Sequence, residues 1–398
     1  MNAYIIRKPF FGRDNMVCTY DILYRDNRSE EEIARAAEDD SPSFFGLRLM
    51  NITGGAPAAI RFDAQMLKNG LVESMSAEDV VVVVDDEIIC DDELFSIAHS
   101  LKEKGYRLAY DFFRAGREKS RVFALCDMAR VSFRVADDET ERAVKVALSC
   151  GKTVSATDID DYTTLEYARE IGCEATGGRY FTKPIPGQDD NVHPLPLNFM
   201  QIMRLVSQAE PEFKDIVEVI SRDTAMCQRL LKLINSVYFG VRNRVSSINQ
   251  ALVILGLDYL REWVYLMGMQ RITHNDNVEL MRESVLMAKL CRQLSLLIPD
   301  AARQSEAFYL MGLLSMVTYS GDRALSIALE DFPVTDDIKS GLLRRGGLYS
   351  DVYDMACRYE RGDWSAADEF SAKYGTSASK LSDVYIHCVM EAERIKLL

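Results

Sequence analysis

The stretch PIPGQDDNVHPLP, residues 184–196, divides the chain into two halves with different hydrophobic periods. Each proline removes a backbone donor and fixes φ, so neither a helix nor a central strand runs through so many of them. A domain boundary is expected there, with one domain over residues 1–187 and a second over 194–398. The full 398 residues are also more than one ordinary hydrophobic core holds.

Before the boundary, short apolar runs alternate with helical ones. AYIIRKPFF, VCTYDILYR, AAIRF, VVVVV, RLAYDFF, VSFRV and KTVSA read as strands, and GRYFTKP closes the series. Ser29 with Glu32 forms a capping-box helix start, and DELFSIAHSLKEKG, ERAVKVALSCG and TLEYAREIG have helical spacing. Repeated β-then-α units with continuously apolar strands imply a parallel sheet covered by helices. A closed, TIM-like (β/α) barrel is expected, shortened relative to the usual eight units. After the boundary no strand-like alternation recurs. Pro211 suits a first helical position and Ser247 with Gln250 forms a second capping box, so the C-terminal half reads as all-α.

A net charge of −14 disfavours broad attraction to nucleic acid or anionic lipid, with GLLRRGG around Arg344 as a short local exception. The most apolar segment, ALVILGLDYLREWVYLMGM, is broken by Asp258, Arg261 and Glu262, so no membrane span is expected. Nine scattered cysteines without a C-x-x-C pair fit reduced thiols and a cytoplasmic location.

Particular motifs carry a family resemblance. RKPFFGRDNMVCTYDILYR, GYRLAYDFF and GRYFTKP resemble the EAL-type cyclic di-GMP phosphodiesterase domain in its shortened form. LLKLINSVYFG followed by SSINQALVILGL resembles the HDOD domain, an all-helical relative of the HD metal hydrolases. Together they imply an EAL–HDOD signalling protein.

EAL-type enzymes hold two divalent cations with carboxylates and an amide, and the metals activate water. Carried onto this chain, the resemblance puts the signature Glu at Asp21 and the phosphate-facing Arg at Arg25. The Asn ligand falls on Arg61, the next metal-binding Glu near Val83, and the paired aspartates on Asp111 and Phe112. The lysine that assists the base falls on Arg134, the later Glu near Thr157, and the Gln before the last Gly on Gly177. Arg61 would repel a metal and Phe112 has no lone pair to offer. Asp21, Arg25, Arg61, Asp111 and Arg134 therefore read as a vestigial nucleotide pocket without catalytic residues. Structural readings stand beside this: Asp111 as a satisfied strand-end acid, Arg25 and Arg134 as salt-bridge partners, Phe112 as a packed ring.

In the helical half, the position after GLL where an HD enzyme carries His-Asp holds Ser315 and Met316. The four histidines, His99, His193, His274 and His387, stand apart from one another, so no metal is expected. VYFGVRNRV reads as a packing turn or a partner groove. The expected protein is a catalytically inactive signal transducer that needs no cofactor and acts through protein partners, with homodimerisation compatible. The alternatives are a non-hydrolysing cyclic di-GMP sensor and a residual phosphodiesterase.

Overall fold

The computed structural model describes residues 3–26, 52–183, 195–208, 210–236, 244–273, 277–319, 325, 329–330, 332 and 334–393. The expected helix start at Ser29, the boundary at 187–194, His193, His274 and most of VYFGVRNRV lie outside these residues. The chain forms two compact units, Met1–Lys183 with Tyr359–Met390, and Pro184–Arg358 with Glu391–Leu398. The last helices thus group largely with the first unit, although their sequence has the helical period of the second half.

The first unit contains a closed eight-stranded barrel in sequence order. Its strands are β1 Ala3–Phe11, β2 Val17–Asp26, β3 Ala58–Arg61, β4 Val80–Val84, β5 Arg107–Tyr110, β6 Met128–Ser132, β7 Thr153–Ile159 and β8 Ala175–Gly178. Strand β1 is antiparallel to both β2 and β8, and the other neighbours pair in parallel. Two strands differ from expectation. Strand β6 begins three residues before VSFRV, and within GRYFTKP only Gly178 belongs to a strand while Tyr180–Thr182 forms a 3₁₀ turn.

The barrel interior holds a small apolar layer of Ala59, Val81, Val83 and Ala109. Alternate residues such as Ile60, Val82 and Leu108 are equally buried and point to the other face of the sheet. The helices α1 Ala64–Lys68, α2 Asp92–Glu103, α3 Arg121–Leu125, α4 Asp138–Ser149 and α5 Tyr162–Glu170 follow strands β3 to β7. Each starts on a short polar cap. Asp91, Asp137 and Asp161 accept from the amides of Leu94, Thr140 and Thr164 at 2.8, 3.0 and 2.8 Å, satisfying donors that the first turn leaves open.

The second unit is helical: α6 Leu197–Val206, α7 Phe213–Arg222, α8 Thr224–Ile234, α9 Ile248–Leu255, α10 Leu257–Thr273, α11 Val278–Leu296, α12 Ser305–Leu314, α13 Asp336–Leu342 and most of α14 Leu348–Tyr359. Helices α11 and α12 approach so closely that a Cβ at Gly312 would stand 2.3 Å from the Met287 carbonyl oxygen. Asn235 pins the end of α8 to Val245, donating to its carbonyl and accepting from its amide at 2.8 Å each. Helices α15 Trp364–Tyr374 and α16 Ala378–Glu393 complete the chain. Among the described residues, no helix is long and apolar enough to cross a membrane.

Candidate functional site

The carboxyl ends of barrel strands collect side chains from several strands around one space, as in other (β/α) barrels. Here that space is filled by an alternating chain of charges. Arg61, ending β3, donates to Asp85 at 2.5 Å and to Asp111 at 2.8 Å. Arg130 of β6 donates to Asp21 of β2 at 2.5 Å, and its Nε lies 3.5 Å from the other oxygen of Asp111. The order is Asp85, Arg61, Asp111, Arg130, Asp21, with Asp111 shared by both guanidinium groups.

Little of this faces water. Asp85, Asp111 and Arg130 are buried. Burial works against the charge on Arg130, but Asp21 and Asp111 together outweigh it and hold the guanidinium above its ordinary pKa. Asp85 is anchored further, because its Oδ1 accepts the amides of Glu87 and Ile88 at 2.9 and 2.8 Å.

Phe10 shapes the space below. Its ring lies 5.4 Å from the Arg130 guanidinium carbon. On β8, Phe10 pairs with Gly177, where a Cβ would stand 2.5 Å from the ring. Gly177, the position to which the resemblance assigns a Gln, is therefore the residue that admits Phe10.

A two-metal site does not fit these residues. Four of the six oxygens of Asp21, Asp85 and Asp111 already accept from a guanidinium or a backbone amide, and a fifth, on Asp111, lies 3.5 Å from the Arg130 Nε. Val83 belongs to the apolar layer and offers no ligand. Among the described residues, no group of three His, Cys, Asp or Glu side chains is placed to hold a metal ion. A guanidinium cannot shed its charge at neutral pH, so an incoming cation would have to expel both arginines.

Of the residues singled out by sequence, Asp21, Arg61 and Asp111 meet in this network, and Arg25 and Arg134 do not. Arg25 pairs with Asp368 at 3.0 Å. Arg134 lies beyond the end of β6 with its side chain 82% exposed, 3.8 Å from Asp158. It borders a separate cavity of about 430 Å³ with Phe112, Arg114, Asp137 and Asp158. Phe112 is not a packed ring: it is 62% exposed, its φ is +49°, and Arg61 lies 5.3 Å from its centroid.

Sequence reading missed Arg130 and Asp85. Arg130 carried a usable signal, since it begins the RVSFRV run three residues after Asp127. In the helical unit, Ser315 is wholly buried and its hydroxyl has no hydrogen-bond partner among the described residues. His99 is 3.7 Å from Glu103 on the surface of α2.

Comparison with known proteins places this geometry in context. Residues 192–320 match the HDOD domain. Over 388 residues the chain is 24% identical to protein YuxH of Bacillus subtilis, covering 93% of each. Over 382 residues it is 24% identical to the cyclic di-GMP phosphodiesterase CdgJ of Vibrio cholerae, covering 94% of this chain and 88% of CdgJ. Among solved structures, the PaMucR phosphodiesterase in complex with c-di-GMP overlays with a TM-score of 0.36 at 13% identity, covering 47% of this chain and 93% of that one. The closed barrel thus precedes the residues that match the HDOD domain, in the order in which the sequence motifs place the two parts.

Proposed function

We propose that this chain is a catalytically inactive signal-transduction protein linked to cyclic di-GMP signalling, and that its barrel works through protein contacts. The linkage is supported by the EAL–HDOD organisation and by the likeness to CdgJ along nearly the whole chain. The inactivity is carried by one observation: Arg61 and Arg130 take up the carboxylates of Asp21, Asp85 and Asp111 from inside the barrel. Hydrolysis of a phosphodiester by two metals needs oxygen ligands free to bind them and a metal-bound water as nucleophile. In this network the positive charge is permanent and supplied by the protein, so no water is activated.

A second reading, a non-hydrolysing cyclic di-GMP sensor, is favoured by Lys8, within β1, and Arg25, near the end of β2. Burial lowers the pKa of the Lys8 ammonium, against the pull of Asp21, and its one hydrogen bond among the described residues, to the Arg361 carbonyl, is 3.5 Å long. Such a cation retains capacity for an anion.

The deciding experiment incubates the full chain with cyclic di-GMP and magnesium or manganese, and follows the linear product alongside calorimetric titration of the nucleotide. No product is expected. Turnover would overturn the inactive reading, and binding without turnover would favour the sensor.

A further inference from the structure

The chain leaves β5 with two phenylalanines that go opposite ways. Phe113 is buried, its ring stacked on Phe123 with centroids 4.4 Å apart and edge-on to Tyr110 at 5.9 Å. Phe112 is turned outward because the backbone on either side of it is fixed. The Asp111 amide donates to the Val84 carbonyl at 2.8 Å and the Phe113 amide to the Arg130 carbonyl at 2.9 Å. Between those two bonds Phe112 takes φ +49°, a conformation that a bulky residue keeps only where its surroundings over-determine it. The ring is left 62% exposed, with the Arg61 guanidinium carbon 5.3 Å from its centroid. The cavity of about 430 Å³ beside it is lined by a second exposed apolar residue, Val135, at 67%. Val135 is held in place, because its carbonyl accepts the Thr140 hydroxyl at 2.8 Å while Asp137 caps α4 through the Thr140 amide at 3.0 Å. The buried residues of the lining, Phe113, Val131 and Ala143, are apolar as well.

The rim of this apolar patch carries both charges, largely unmatched. Arg114 and Glu139 are exposed, and neither side chain forms an ion pair among the described residues. Arg134 comes no nearer than 3.8 Å to Asp158, and its side chain is 82% exposed. Such a rim selects among occupants. Nucleic acid or an anionic membrane would meet Asp137 and Glu139 together with the arginines, and the net charge of −14 adds to the repulsion. A second copy presents the same patch turned by a two-fold rotation, so its arginines face these acids and its acids face these arginines. The apolar residues of the two copies then cover one another.

We propose that a second copy of this chain docks on the face formed by Phe112, Val135 and the start of α4, with the two Phe112 rings near the two-fold axis and Arg134 of each copy facing Glu139 of the other. The inference rests on the reading of the barrel as a module for protein contacts, and names the partner in those contacts. The exposed ring at a constrained φ is the central anchor, and the charges around it set the orientation of the pair.

Sedimentation velocity of the full chain over a concentration series tests this. The wild type should pass from monomer to dimer as concentration rises. Phe112→Asp should weaken pairing by at least about thirtyfold, as loss of a central aromatic anchor does. Arg134→Glu and Glu139→Arg change exposed side chains on which the fold does not depend, and each should weaken pairing by roughly tenfold. An equimolar mixture of those two variants should pair as tightly as the wild type, because every reversed charge then meets its opposite. A wild type that stays monomeric at every concentration would overturn the proposal, since another occupant would then cover the face. So would a dimer unchanged by all three substitutions, or a mixture that pairs no more tightly than its components. Incubation of the same samples with cyclic di-GMP and manganese speaks separately to the function: linear product would overturn the inactive reading and leave the pairing standing.

Discussion

The Arg130 guanidinium donates across the barrel to the Asp21 carboxylate at 2.5 Å, joining two strands 109 residues apart in sequence. The same side chain approaches Asp111. One residue therefore neutralises the buried Asp111 and the partly buried Asp21, and its removal should be felt throughout the network.

Arg130→Met is expected to destabilise the chain by about 3–5 kcal/mol, the usual result of removing one partner from a buried ion pair. Arg61→Leu should cost less, because the Arg61 side chain is 38% exposed, Asp85 keeps the amides of Glu87 and Ile88, and Asp111 keeps Arg130 beside it. Urea unfolding of both variants measures the difference. Equal losses would mean that burial does not rank the two arginines. Adding Asp21→Leu to Arg130→Met should recover part of the loss, and strict additivity in that cycle would argue against direct coupling.

Phe112→Asp is expected to be neutral or stabilising. The ring is largely exposed, and at φ +49° Asp is better tolerated than most non-glycine residues. The new carboxylate should not restore hydrolysis, because Arg61 and Arg130 would remain in place. Phe112→Val, β-branched at the same φ, should destabilise by about 1–2 kcal/mol. A loss larger for Asp than for Val would contradict the backbone argument.

Gly177→Ala should destabilise by about 1–3 kcal/mol through overpacking, since the added methyl would stand 2.5 Å from the Phe10 ring. Shortening the ring residue by Phe10→Leu should relieve most of that penalty. Denaturation of the two single variants and the double variant gives the coupling. If Gly177→Ala is harmless alone, Phe10 does not depend on the missing side chain.

Much of the barrel was legible because its cause is local. Val80–Val84 is buried at every position and reads as a strand in any frame, and Pro- and Gly-rich punctuation separates the hydrophobic periods. Register was less legible. In MARVSFRV, apolar residues alternate on both sides of Ser132, so the strand could be read as starting at Met128 or Val131. The later reading led to Arg134 instead of Arg130. Asp85 was obscured because it follows five valines in what reads as a loop. The grouping of 359–390 with the barrel had no local signal, since it depends on contacts such as Tyr4 to Asp368, 364 residues apart.

Glu360 should make stability fall as pH rises. Burial, opposed by Arg179, Arg7 and Lys8, pushes its carboxyl up to about 7, above the ordinary value of 4.5. The folded state therefore holds the proton more tightly than the unfolded chain. The resulting stabilisation is full below the ordinary carboxylate value and is lost as pH rises through about 7. Integrated over that window the change amounts to roughly 3 kcal/mol. The rest of the chain adds its own pH dependence. The measurement is therefore the difference between the wild type and Glu360→Gln in urea midpoint at several pH values between 4.5 and 8. The difference should favour the wild type at the acid end and decline steadily towards neutrality. A difference independent of pH would mean that Glu360 titrates alike in the folded and unfolded chain. A difference that grows with pH would mean that its charged form is the one the fold holds.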